Sequence, residues 1–266
     1  MKHIVETTDF PRTRESLRED FINIGLKKGM TVLVHTSLSS IGWVNGGSVA
    51  VIEALTDVVT EEGTIVMPSQ STNLSDPSEW GNPPVPESWW GTIRDTMPAY
   101  DKHYTPTIGM GRVVETFRTY PGVVRSDHPA YSFVAWGKEK NAIINHHSLH
   151  FGLGEQSPLG VLDKLEAFVL LLGASFENTT AFHLAEYRIP YRTEVQKEAP
   201  IIENGKRVWK TYRELSFREE LFEDIGADFL QVGDMKVGKV GSARTYLFSF
   251  SEAVRYAEKW LTRYDK

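Results

Sequence analysis

The five consecutive apolar residues Phe168–Leu172, closed by Gly173 and followed by the turn-forming Asn178, constrain the fold more than any other stretch of the chain. The run is too short for a spanning helix and reads as a buried strand. Thr179 or Thr180 then serves as a helix N-cap, and Pro190 stops that helix. His183 and Glu186 fall three residues apart, on one face of its first turns. Open α/β sheets place reactive groups at such strand-to-helix crossings, because the crevice beyond the strand ends is where a ligand can sit. The pair has the form of a base with its orienting carboxylate.

The N-terminal third repeats this grammar. A helix is expected over 12–28, capped by Thr13 or Ser16, with Leu17, Phe21, Ile22 and Leu26 at helical spacing and Gly29 as its end. A strand from Thr31 to His35, a polar turn from Ser37 to Gly47, a helix from Ser48 to Thr60 and a strand from Gly63 to Pro68 follow. The pattern predicts an α/β fold, a central β-sheet flanked by helices on both faces. From Ser69 to Pro106 it dissolves into a long insertion rich in proline and in tryptophan (Trp80, Trp89, Trp90), which reads equally as a cleft wall or as a structural lid. A helix over 111–119, the turn Arg125–Pro129, a strand over 131–136 and a helix over 138–150 come next. Beyond the His183 helix, a strand over 207–213, a helix over 214–226, a strand over 245–250 and a helix from Glu252 to Arg263 capped by Ser251 are expected. No repeat or low-complexity linker divides residues 1–266, which read as one domain.

Charge and composition narrow the function. With 29 basic and 35 acidic residues the net charge is −6, and no basic stripe could neutralise phosphates, so nucleic acid is not an expected partner. No segment approaches the roughly 20 apolar residues of a membrane span, and the N-terminus has no signal-peptide core; a cytoplasmic protein is expected. The absence of cysteine excludes disulfides, a thiol nucleophile and thiolate metal sites. His35, His128, His146, His147, His150 and His183 were the other source of metal ligands, with His146 and His150 spaced for a helix, but no His-Glu-x-x-His motif is present and no metal is expected. Ser37, Ser157 and Thr180 are conceivable nucleophiles, yet none lies in a Gly-x-Ser-x-Gly elbow.

The crossing at Phe168–Arg188, together with Val32–Gly42, Arg125–Pro129, Phe151-Gly152 leading to Ser157–Leu159, and a weaker echo at Lys236–Gly241, resembles the aminoglycoside 3-N-acetyltransferase family, over roughly residues 10 to 260. The resemblance implies acetyl transfer from acetyl-coenzyme A to an amine, with His183 and Glu186 catalytic. Such a reaction needs a base, because an amine is mostly protonated at neutral pH. The helix N-terminus favours neutral His183 and Glu186 favours the charged ring, and the sequence leaves that balance open. The turn Ser37, Leu38, Ser39, Ser40, Ile41, Gly42 offers backbone amides to the coenzyme pyrophosphate, and Lys236, Lys239 and Thr107 are further coenzyme candidates. Ile108–Gly111 departs from the coenzyme loop of the commoner acetyltransferases at Pro106. An oxyanion would find donors in the Ser37–Gly42 amides or the Thr179 and Thr180 hydroxyls. Asp76, Glu79, Asp127, Glu155 and Glu177 are carboxylates for a cationic acceptor, and Thr180, Arg125 and His128 are candidate supporting residues. An aminophosphonate acceptor would instead call on Arg125 or Arg188. A protein that binds amine or coenzyme without turnover and a metal-dependent hydrolase are the alternatives. A homodimer is a reasonable expectation.

Overall fold

The structure is a computed structural model and describes residues 2–266. The chain opens with α1 (Lys2–Thr7) and α2 (Arg14–Asn23), enters β1 (Thr31–Thr36), crosses through α3 (Gly47–Val59) and returns in β2 (Thr64–Pro68). The insertion carries α4 (Trp90–Thr96) and leads through α5 (Gly111–Phe117) to β3 (Val124–Arg125), β4 (Phe133–Gly137) and α6 (Lys140–Ile144). Then come α7 (Pro158–Lys164), β5 (Phe168–Leu172), α8 (Ala181–Arg188) and a hairpin of β6 (Glu194–Glu203) and β7 (Lys206–Leu215). α9 (Phe222–Val232), β8 (Met235–Val240), β9 (Ala243–Ser249) and α10 (Phe250–Tyr264) complete the fold.

Seven strands form one sheet in the order β3-β4-β2-β1-β5-β9-β8. Its middle, β2-β1-β5, is parallel, and antiparallel pairs extend it on both sides. Parallel strands need crossovers, which place helices on the faces and bury the strands on both sides. Alternation along β1 divides the core accordingly. Val32 and Val34 pack with residues of α2, α3 and α5, whereas Leu33 packs with those of α6 to α10. His35, two residues beyond Leu33, projects to this second side, where α8 lies. Full burial of each such aliphatic side chain contributes about 1.5–3 kcal/mol, so the strand ends that frame the crevice are firmly fixed.

Every residue of α8 from Ala181 to Tyr187 is buried, with α10 packed against the helix. Polar groups on such a helix need partners within the protein. The β6-β7 hairpin stands apart from the main sheet and receives the insertion: Tyr100 donates its backbone N–H to Pro200 (3.0 Å), Arg207 Nε donates to the Met97 carbonyl (2.6 Å) and Lys197 pairs with Glu79 (2.7 Å). Trp80 donates to Ser75 (3.0 Å), whereas Trp89 is 56% exposed.

Several expectations are corrected. α2 is shorter than the expected 12–28 because the chain turns at Gly25 (φ 102°), and Thr13 and Ser16 cap it together, each backbone N–H bonded to the other's hydroxyl. The helix over 138–150 shrinks to α6, so His146–His150 is not helical. Glu214 lies within the strand β7 instead of starting a helix, and β6 was not expected at all. Lys236–Val240 belongs to the edge strand β8, whose backbone pairs with β9. The last helix is capped by Ser249, whose hydroxyl accepts from Glu252 N–H, and not by Ser251.

Candidate active site

The ends of β1 and β2, the β5-α8 crossing and the segments before α5 and α9 enclose a cleft of about 210 Å³, lined among others by His35, Thr36, Gln70, Glu177, Thr180, His183 and Glu219. Gly173 makes the crossing possible. It adopts φ 66°, and a Cβ there would lie 2.6 Å from Cβ of Ser40, so only glycine lets the crossing approach the serine turn this closely.

His183 sits in the first turn of α8 and is bracketed by two carboxylates. Nδ1 is 2.8 Å from Glu186 Oε2 and Nε2 is 3.3 Å from Glu219 Oε1. Glu186 is buried and fixed, its second oxygen accepting the Arg218 backbone N–H at 2.7 Å. Glu219 has a largely exposed side chain and is the solvent-facing member of the pair. Phe217 and Phe222 pack on the imidazole with ring centroids at 4.4 and 4.9 Å. Burial opposes a charge on the ring, but Glu186 and then Glu219 outweigh it and hold the His183 pKa up at about 9. The balance that the sequence left open falls to the carboxylates, not to the helix dipole. His35 has the opposite fate. Burial, with the positive charge of His183 added, pulls it down to about 3.

The other candidates are spread more widely. Thr180 lines the cleft as the residue before α8, though its side chain makes no capping bond. The Ser37–Gly42 turn borders the cleft next to Thr36: Ser37 N–H donates to the Leu172 carbonyl (2.9 Å), and Ser40 donates to Ser37 Oγ (2.8 Å) and Gly173 O (3.3 Å). Leu38 to Ile41 form a single 3-10 turn, with Ile41 buried and Gly42 at φ 96°. Lys239 pairs in register with Arg244, whose carbonyl accepts from Gly173 N–H, so it lies toward the cleft end of the sheet; the Lys236 ammonium instead lies over Gly25. Thr107 is turned onto Glu115, to which both its N–H and its hydroxyl donate.

Asp76, Arg125 and His128 are not brought into the cleft. Asp76 is buried against Arg94 (2.6 Å), which holds its carboxyl well below the ordinary range and leaves no free charge for an acceptor. Arg125 is buried beneath the insertion, donating to Ser69, Ser71 and Ser132. His128 is fully buried and fully bonded: Nδ1 accepts from the N–H groups of Ala130 (3.2 Å) and Tyr131 (3.0 Å), and Nε2 donates to Leu149 O (3.3 Å). Arg188 is engaged by Glu155, Asp163 and Glu258. Among the described residues no group of three or more His, Cys, Asp or Glu side chains is placed to hold a metal ion, and no helix is long and apolar enough to cross a membrane. Glu219 was missed because nothing in the local pattern marks it. It reaches His183 from beyond the β6-β7 hairpin.

Comparison with known proteins places the chain in a family. Residues 33–262 match the family model described as aminoglycoside 3-N-acetyltransferase. The chain is 68% identical over 266 residues to the SPbeta prophage-derived aminoglycoside N(3')-acetyltransferase-like protein YokD of Bacillus subtilis (strain 168), covering 100% of this chain and 98% of that one. The crystal structure of YokD superposes with a TM-score of 0.99. AAC-IIIb in a binary complex with CoASH is 29% identical, with a TM-score of 0.85 over 96% of this chain and 98% of that one. AAC-VIa bound to sisomicin is 26% identical, with a TM-score of 0.86 over 96% and 99%. The chain belongs to the aminoglycoside 3-N-acetyltransferase family.

Proposed function

We propose that the protein acetylates an aminoglycoside, at the 3-amino group of its 2-deoxystreptamine ring, taking the acetyl group from acetyl-coenzyme A by direct transfer in a ternary complex. The observation that carries this reading is His183 held between Glu186 and Glu219 at the edge of an acidic cleft. Family membership supports the reaction, and the CoASH and sisomicin complexes of the relatives support its two substrates.

The acceptor arrives as an ammonium ion and must lose a proton before it can attack. In the free protein the two carboxylates keep the positive charge on His183. An ammonium entering beside Glu219 and Glu177 brings a second positive charge to the same small volume, and repulsion of like charges favours release of one proton. Glu186 retains the hydrogen on Nδ1, so the proton that leaves is the one on Nε2, the nitrogen that faces Glu219. Neutral Nε2 then accepts the amine proton as the nitrogen lone pair adds to the thioester carbonyl. Among the described residues no serine or threonine hydroxyl is hydrogen-bonded to His183, which supports direct transfer over an acylated protein. Acidic lining disfavours an aminophosphonate acceptor, since Arg125 and Arg188 are committed elsewhere.

The test is thiol release from acetyl-coenzyme A against a panel of aminoglycosides and simple amines. Release should require an aminoglycoside and fall by roughly a hundredfold or more in His183→Ala. Coenzyme binding with no release for any amine would overturn the transferase reading in favour of a binding protein, and release insensitive to the substitution would overturn His183 as base.

A further inference from the structure

Five buried side-chain polar atoms lack a hydrogen-bond partner among the described residues; two of them, His35 Nε2 and Thr36 Oγ1, belong to residues of β1 that line the cleft, and a third, Thr179 Oγ1, lies in the β5-α8 crossing beside the lining residue Thr180. Buried polar groups are almost always bonded, so a cluster of orphans at one place marks donors set aside for something that binds there. His35 is the most unusual of the three. It is 8% exposed, lines the cleft together with His183, and projects from β1 to the side of the sheet that carries α8. Its Nε2 is bonded to no other described residue. A histidine kept only for packing has no need to stay unbonded, as the fully satisfied His128 shows.

We propose that His35 is a catalytic residue of acetyl transfer, its uncharged imidazole donating an N–H to the thioester carbonyl oxygen as negative charge collects there. The inference rests on the reading of the cleft as an acetyl-coenzyme A site. The amine lone pair forms the new C–N bond, the carbonyl π pair moves onto oxygen and is held by His35, and His183 takes the amine proton. When the pair returns, the C–S bond breaks and the coenzyme thiolate leaves, taking up the proton that His183 received from the amine. His35 gives up no proton at any stage. A neutral ring is the right donor for this task, because it lends its hydrogen without competing with His183 for the proton. Burial and the neighbouring imidazolium keep it neutral throughout the working pH range.

Infrared difference spectra of [1-13C]acetyl-coenzyme A bound to the wild-type protein test the contact without any acceptor. A hydrogen bond from His35 lowers the carbonyl stretch on binding, His35→Leu abolishes that lowering, and His35→Gln or His35→Asn, which keep an N–H, restores part of it. In turnover, His35→Leu should lower kcat by roughly 10²- to 10³-fold, with the acid limb of the pH profile unmoved. A wild-type stretch unchanged on binding, or the same stretch in wild type and His35→Leu, would overturn the proposal, and the first of these needs no variant to fold. Bound coenzyme with a lowered stretch but no aminoglycoside acetylation would support His35 and overturn only the acceptor. Failure to bind acetyl-coenzyme A would overturn both.

Discussion

Two pairs of histidines in this molecule, His128 with His147 and His35 with His183, have been put to opposite uses. His128 and His147 stack at 4.7 Å beneath the β6-β7 hairpin with every ring nitrogen bonded. His147 Nε2 donates to Gly152 O (2.6 Å), so its Nδ1 accepts from Ser126 (2.8 Å). Both tautomers are thereby fixed, and burial holds both rings uncharged, His147 at about 4. His35 and His183 are also buried, but one has an unbonded Nε2 and the other faces a largely exposed carboxylate. The difference teaches that burial alone does not separate a structural histidine from a reactive one. Closure of the hydrogen bonds does.

Removing His128 should therefore damage the fold and spare the chemistry. His128→Ala leaves the N–H groups of Ala130 and Tyr131 without an acceptor and opens a void, at a cost of about 3–5 kcal/mol. We expect thermal unfolding to fall by roughly 10 °C, with thiol release per folded molecule within about threefold of wild type. A loss of kcat comparable to that of His183→Ala, with unfolding unchanged, would break the contrast.

A smaller effect of the same kind is expected at Gly152, where an added Cβ would lie 2.4 Å from His128 Nε2. The glycine also donates its N–H to buried Glu214 (2.8 Å), so the backbone has little room to retreat. Gly152→Ala should cost about 1–3 kcal/mol, read as a lower denaturant midpoint at unchanged m-value. Stability equal to wild type would show that the closed pair is looser than its hydrogen bonds imply.

How much of this was legible beforehand depended on how local the signal was. The β5-α8 crossing is written in consecutive residues, an apolar run, a glycine, capping-type threonines and a proline, so strand, turn, helix and the His183–Glu186 pair could all be read directly. Glu219 joins them only through tertiary packing, and Glu214–Gly226 looked helical throughout because no local residue shows that the β7 strand runs on to Leu215. β6, with Pro200 and many charges, has poor strand character and is held by its pairing with β7. Asp76 and Arg125 were plausible ligands for the same reason that they proved structural. A charged residue in a polar loop carries no mark of whether its partner is a substrate or, as here, Arg94 or a set of serines.

The most delicate difference between the two pairs is the sign of their response to pH. The His128–His147 pair has folded pKa values below the unfolded 6.5, so it is neutral with respect to stability above that pH and costs stability as pH falls toward 4. His183, raised to about 9, contributes stability that is fully present below 6.5 and lost as pH rises through 9. Glu219 supplies part of that elevation through its charge, and a glutamine there keeps the shape and removes the charge. Glu219→Gln should therefore lower the His183 pKa and move the acid limb of the kcat/KM profile for thiol release to lower pH, by on the order of one unit. Glu186 remains to orient the ring, so kcat on the plateau should change little. An acid limb that stays where it is in Glu219→Gln would mean that Glu219 does not face His183 in the working protein, and that the proton on Nε2 is governed by Glu186 alone.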